Sequence, residues 1–369
     1  MRPSTRWRSL RAGALAGTML LATAFASAQQ AKPPEPRDAV SAVVEAFKTH
    51  DVVALGEGDH GNDQGHALRV ALLNDARVAG LVNDIVVEFG SARFQQVIDR
   101  FVNGETVPYS ELRRFWEDTT QPNVVWHAAI YADFIRAVRA VNSKRPAAQR
   151  IRVLGGEPPI DWAAISGTQD FRPWLAQRDT HAVDVIRRDV LAKKRKALVV
   201  YGDMHFQRKN IQSNYDMTSP IAHGIVSLLE KEGISVFSIW TTGGPSLARL
   251  QPDVASWPVP SIVLTRRTTL GREDFASYSR STLPRVRIRN GQPDFSAPLT
   301  PADYNKLPME QQFDAILYLA PTLTFSPMPL DICGDAAHLQ TRRARVALTG
   351  MPPFEAERFA NHCAGVLPQ

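Results

Sequence analysis

Val52-Val53-Ala54-Leu55-Gly56-Glu57-Gly58-Asp59-His60-Gly61 is an apolar run that dissolves into glycines and ionisable groups. A short apolar run closed by glycine reads as a strand buried on both faces, followed by a turn. The same grammar recurs along the chain. Asp84-Ile85-Val86-Val87-Glu88-Phe89 is a second such strand, and Ile151 to Leu154 runs into Gly155-Gly156-Glu157. Ala197 to Tyr201 runs into Gly202-Asp203-Met204-His205, and residues 235–240 and 313–320 are apolar again. Arg285-Val286-Arg287-Ile288-Arg289 alternates with period two, as a half-exposed strand does.

Helical spacing fills the gaps. Asp38 caps a helix to about Lys48, with Val40, Val43, Val44 and Phe47 on one face. Phe94, Val97, Ile98 and Phe101 repeat at helical intervals, as do Ile130, Phe134, Val138 and Val141. Helices are also predicted near 64–74, over 178–193 and near 219–231. Strands alternating with helices predict an α/β fold: a mixed, mostly parallel sheet with helices on both faces. Beyond Thr241 the pattern loosens into an irregular C-terminal third.

At 369 residues, with 44% hydrophobic and 22% charged residues, the chain is excluded from the disordered, collagen-like and coiled-coil classes. Residues 1–28 read as an export leader. Arg2, Arg6, Arg8 and Arg11 are followed by an apolar stretch, Ala12 to Phe25, of about 14 residues, short for a bilayer span. Ala26-Ser27-Ala28 supplies the small residues of a cleavage site. The expected product is periplasmic or secreted, with no stable membrane anchor. Without the leader's four arginines the formal charge falls from +6 to +2, which argues against nucleic acid as a partner. A small-molecule substrate is expected, and the oligomeric state is open. Residues 29–37 read as a linker and 38–369 as a single hydrolase-like domain with its motifs within 50–241. Cys333 and Cys363, the only cysteines, are expected to form a C-terminal disulfide.

In an open α/β sheet, ligands bind beyond the carboxyl ends of the strands. Four strands deliver Glu57 and His60, Glu88, Glu157, and Asp203 and His205 to that edge. These residue types suit general acid–base catalysis. Each also has a plainer reading: Glu57 as a helix cap, Glu88 as a partner for a structural arginine, Glu157 and His60 as loop residues, Asp203 and His205 as solvent-facing ones. His50, His66, His127, His181, His223, His338 and His362 lack such a setting and read as structural or surface residues.

Three rival motifs bear on the same residues. Gly56-x-Gly58-x-x-Gly61 matches a dinucleotide-binding fingerprint, but Glu57 and Asp59 put negative charge where a pyrophosphate would approach. Glu57, His60, Glu88 and His205 are acceptable ligands for a divalent ion, although Glu57-x-x-His60 lies on a loop. Neither Gly-x-Ser-x-Gly nor a phosphate-binding Gly-x-x-x-x-Gly-Lys occurs.

Val53-Ala54-Leu55-Gly56-Glu57-x-x-His60-Gly61 followed by Leu68-Arg69 resembles the opening motif of the erythromycin esterase family. That family is grouped with ChaN-type haem-binding proteins and TIKI-type proteases. Val86-Val87-Glu88, Phe101-Val102-Asn103-Gly104, Arg178-Asp179 and Val199 to His205 resemble its later motifs in order, across roughly residues 50–210. The resemblance implies His60 as the base that activates water, with Glu57 and Glu88 orienting it and His205 completing the pocket. It implies Arg69 and Arg178 as holders of an anionic or carbonyl group; Glu157 and Asp203, delivered to the same strand edge, are expected to face the substrate as well. The family's His-Asn-x-His-like element is here Asp203-Met204-His205. The reaction so implied is ester or lactone hydrolysis without a cofactor. The ChaN-type alternative is a haem or small-ligand binder using Tyr109, Tyr201, His60 or His205; the TIKI-type alternative is a metal-dependent hydrolase.

Overall fold

Side chains on the central strands alternate between two apolar layers, and that alternation builds the molecule. Val53, Leu55, Ile85, Val87, Leu198 and Val200 point into one layer; Val52, Ala54, Val86, Ala197, Val199 and Tyr201 point into the other. Both faces of these strands are therefore buried, as parallel strands require. The structure, a computed structural model, describes residues 31–209, 224–249, 251–275, 287–289, 292–294 and 306–350. Residues 32–369 form one compact unit, and the chain before Lys32 is assigned to another. The leader at 1–28 and Cys363 lie outside the described residues, so the disulfide expectation does too. Cys333 is buried beside Met328 and Ile332.

In chain order the strands are β1 Arg37–Asp38, β2 Val52–Gly56, β3 Asp84–Ser91, β4 Arg152–Glu157, β5 Ala197–Tyr201, β6 Val236–Thr242, β7 Ser261–Leu264, β8 Arg287–Arg289, β9 Gln292–Asp294 and β10 Ala315–Tyr318. Eight of them form one sheet in the order β1-β7-β10-β6-β2-β5-β3-β4, while β8 and β9 pair separately. The six strands from β10 to β4 are parallel. β7 and β1 add an antiparallel edge. The expected α/β fold is the fold observed.

Helices Ala39–Ala46, Asp63–Asn74, Gln95–Val102 and Ala129–Asn142 cover the first layer. Helices Arg178–Val185 and Ile225–Lys231 cover the second. Asp38 caps its helix as expected, accepting from the Ser41 N–H. The stretch read as a linker is in part a sheet element: Arg37 and Asp38 form β1, and Lys32 bridges to Thr268. Its Lys and Pro content masked the pairing because an edge strand tolerates both. The helix expected over 178–193 changes character at Ile186, becoming a π turn and then a 3-10 turn that ends at left-handed Lys194. Helix Ala336–Thr349 follows the last strand and carries Leu339 and Val346 inward. Among the described residues no helix is long and apolar enough to cross a membrane.

Candidate active site

The site is built at the carboxyl edge of β2, β5, β3 and β4. After β2 the chain turns through Gly58 and Gly61, whose φ angles of 68° and 81° suit glycine, into the helix Asp63–Asn74. Asn62 fixes this turn: its side chain accepts from the Gly65 N–H at 2.6 Å and donates to the Glu57 carbonyl at 2.9 Å. The turn buries Glu57 and folds His60 back over it. His60 Nδ1 lies 2.8 Å from Glu57 Oε2, and the imidazole side chain remains 31% exposed. Trp126 meets the ring edge-on at 4.6 Å.

Glu88 occupies the point where the sheet opens. β3 pairs with β5 as far as Val87 and Val200, and its register with β4 shifts between Val87 and Ser91. Past the ladder, the Gly202 N–H donates to Glu88 Oε2 at 2.6 Å instead of to a strand. Arg178, at the start of its helix, donates to Glu88 Oε1 at 2.5 Å and to Glu157 Oε1 at 2.6 Å. Glu157 also accepts from the N–H and hydroxyl of Thr120. His205 pairs through Nδ1 with Asp179, and its Nε2 is 3.4 Å from Glu88 Oε1.

These contacts set the charges. Burial opposes charging His205, but Glu88 and Asp179 outweigh it and push the imidazole up to about 10. It is therefore an imidazolium at neutral pH. Burial likewise disfavours Glu88 as an anion, yet His205, Arg178 and His60 hold it well below the usual carboxylate range. His60 balances burial against its bond to Glu57 and the field of Glu88, and its pKa lies above the ordinary imidazole value. With Nδ1–H directed at Glu57, the neutral ring carries its lone pair on Nε2. The arrangement is one partly exposed base on a buried carboxylate, beside a fixed imidazolium.

The structure brings Glu57, His60, Glu88, Glu157, Arg178 and His205 together. The four groups read as substrate-facing are instead committed inside the protein. Arg69 is 3% exposed, with Nη1 3.4 Å from Glu57 Oε1. Arg178 and Glu157 hold each other. Asp203 accepts from the Gly58 N–H at 2.8 Å and the Thr241 N–H at 2.5 Å, clamping the turns after β2 and β5 to the end of β6; burial pushes its carboxyl up to about 7. The reason is common to all four: a buried charge is retained only when paired or hydrogen-bonded. Of the tyrosines considered as iron ligands, Tyr201 packs its hydroxyl against Gly156, and Tyr109 lies beside Trp116 and under Arg136.

Among the described residues two groups place nitrogen and carboxylate ligand atoms within 4.8 Å of one another: Glu57, His60 and Glu88, and Glu117, His127 and His338. In the first group, His60 is bonded to Glu57, and both Glu88 oxygens accept from Arg178 or Gly202. That donor set matches a divalent ion in type: both Glu88 oxygens already accept hydrogen bonds, whereas Glu57 Oε1 accepts none. The second group was missed in the sequence because His127 and His338 are 211 residues apart. Asp179, Thr120 and Trp126 were not singled out as site residues either; Thr120 and Trp126 lie in an aperiodic stretch, and only the Arg178-Asp179 pair drew notice.

No protein-family model matches the chain, and no curated protein matches it. Solved structures similar to it include a succinoglycan biosynthesis protein (10% identity, TM-score 0.49, covering 80% of this chain and 96% of that one). A Bacillus cereus protein shares 13% identity at TM-score 0.46, covering 81% and 97%. A mutant of the erythromycin esterase EreC in its open conformation shares 13% identity at TM-score 0.47, covering 78% and 94%. The chain is an α/β protein with a mixed eight-stranded sheet and a paired acid–histidine cluster at the carboxyl edge of its parallel strands.

Proposed function

We propose that the protein hydrolyses an ester or lactone of a small molecule, with His60 as the general base that activates water. The observation that carries this reading is the Glu57–His60 pair: a buried carboxylate fixes Nδ1–H and leaves Nε2 of a partly exposed imidazole as the base. His60 Nε2 takes a proton from water as the oxygen adds to the carbonyl carbon; the tetrahedral intermediate then breaks its bond to the ester oxygen, which leaves as the alcohol with the proton returned by His60, and Glu57 and Glu88 stabilise the imidazolium in between. His205 and Arg178 supply positive potential against the charge developing on the carbonyl oxygen, without direct contact. The same proposal takes residues 1–28 as an export leader and the activity as periplasmic or secreted.

A metal-dependent variant is favoured by one observation, the proximity of Glu57, His60 and Glu88 ligand atoms. Purified protein and His60→Ala are assayed on a panel of esters and lactones, with and without chelator. The expected result is hydrolysis that survives chelation and falls ~10²-fold or more in the variant. Full activity in His60→Ala refutes the mechanism; activity abolished by chelator transfers it to the metal-dependent variant.

A further inference from the structure

Away from that cluster, Glu117, His127 and His338 converge between the segment before helix Ala129–Asn142 and the C-terminal helix Ala336–Thr349. His127 Nε2 lies 2.9 Å from His338 Nε2 and 3.8 Å from Glu117 Oε1. Two ligands bound to zinc at ~2.0–2.1 Å with tetrahedral angles stand about 3.3 Å apart, between the two observed separations. We propose that these three residues form a site for a four-coordinate divalent cation of the zinc or cobalt(II) type, with water as the fourth ligand. Nothing in the proposed hydrolysis uses it.

The protonation pattern of the cluster points to a ligand. Arg113 Nη2 donates to His338 Nδ1 at 3.1 Å, so a neutral His338 carries its proton on Nε2 and gives that hydrogen bond to His127 Nε2. The His127 proton is then on Nδ1, which is buried with no hydrogen-bond partner among the described residues. A buried polar pair satisfied on only one side is costly to keep as a purely structural device. A cation takes both Nε2 lone pairs and moves the His338 proton to Nδ1. Arg113 then turns toward Asp335 Oδ2, which already lies 3.9 Å from its Nη2.

Glu117 is arranged in the same sense. Its Oε2 faces Arg113 Nε at 3.2 Å and Arg342 Nη2 at 3.6 Å, leaving Oε1 toward the imidazoles. Partners on the far oxygen are how ligating carboxylates are commonly oriented. The guanidinium groups of Arg113, Arg342 and Arg345 oppose a cation, and Asp118 and Asp335 offset part of that field. The site therefore binds reversibly, more weakly than a closed cysteine site. A bound ion would staple the C-terminal helix to the segment carrying Thr120 and Trp126, which touch Glu157 and His60.

The test titrates the full chain with cobalt(II), following the visible bands of tetrahedral coordination, and with zinc by calorimetry. One equivalent is expected to bind, with affinity falling at least about tenfold in His338→Ala and unchanged in His60→Ala. His338→Gln serves if the alanine variant does not fold. Zinc raises the melting temperature of the wild type in a concentration-dependent way, but not that of the variant. Absence of saturable binding, or binding indifferent to both His338 variants, overturns the proposal. Loss of binding in His60→Ala alone assigns the ion to the other cluster and overturns it equally.

Discussion

Replacing Arg178 by methionine is the sharpest test of the candidate site, because it needs no substrate. The guanidinium is bonded to Glu88 at 2.5 Å and to Glu157 at 2.6 Å, and both carboxylates are essentially buried. Removing it leaves Glu88 with the Gly202 N–H and His205, and Glu157 with Thr120. Breaking a buried pair in this way costs about 3–5 kcal/mol. At ~2.1 cal/mol/K per residue, a unit of roughly 340 residues unfolds with ~0.7 kcal/mol/K, so the melting temperature drops by ~4–7 °C. The companion is the double variant Arg178→Met/Glu157→Gln, which removes one stranded anion and returns about half of the loss. Urea titrations of wild type, both single variants and the double variant close the cycle. A coupling below ~0.5 kcal/mol between positions 178 and 157 would show that Arg178 is not what makes these buried carboxylates tolerable, and the account of the site fails with it.

Three further outcomes are expected. A Cβ at Gly202 would stand 3.3 Å from His60 Cε1 and 3.4 Å from Glu88 Oε2, so Gly202→Ala lowers kcat about tenfold or more while the melting temperature stays near wild type; unchanged kcat contradicts a reaction at this point. A base must be neutral, so the rate rises with pH with a midpoint above 6.5, and Glu57→Gln moves that midpoint down; a pH–rate profile with no shift in the variant rejects the pairing. His205 titrates at about 10 folded against 6.5 in its ordinary state, so its contribution to stability is complete below about 6.5 and is lost as pH rises through about 10. Urea midpoints from pH 6 to 10.5 should fall less steeply in His205→Gln, and equal slopes would count against a charged His205.

The sheet was legible because buried parallel strands write themselves as short apolar runs, and its chemistry because such strands end in one place. Glu57, Glu88, Glu157 and His205 meet for that reason alone. What each does was not legible. Arg69 and Asp203 look like substrate contacts in a motif, yet one lies against Glu57 and the other ties the turns after β2 and β5 to β6, and only packing tells those roles apart. β1 escaped notice because two residues at an edge leave no periodicity to detect. The His127–His338 contact escaped because nothing local encodes a pairing between a loop and a helix that follows the last strand of the sheet.

The position of β5 governs when this molecule can assemble. β2 and β3 follow one another in the chain but do not touch; each lies against β5 instead. A nascent chain that has completed β4 therefore holds only the β3–β4 ladder, with β2 lacking both of its neighbours. Insertion of Ala197–Tyr201 between two waiting strands joins the halves of the sheet and, in the same event, delivers the Gly202 N–H to Glu88 and Asp203 to the turn after β2. Pairing of β5 thus joins β2 to the β3–β4 ladder and sets two hydrogen bonds of the site in the same contact. A chain truncated before Ala197 leaves β2 without either neighbour and β3 with one free edge, and is expected to aggregate where the full chain does not.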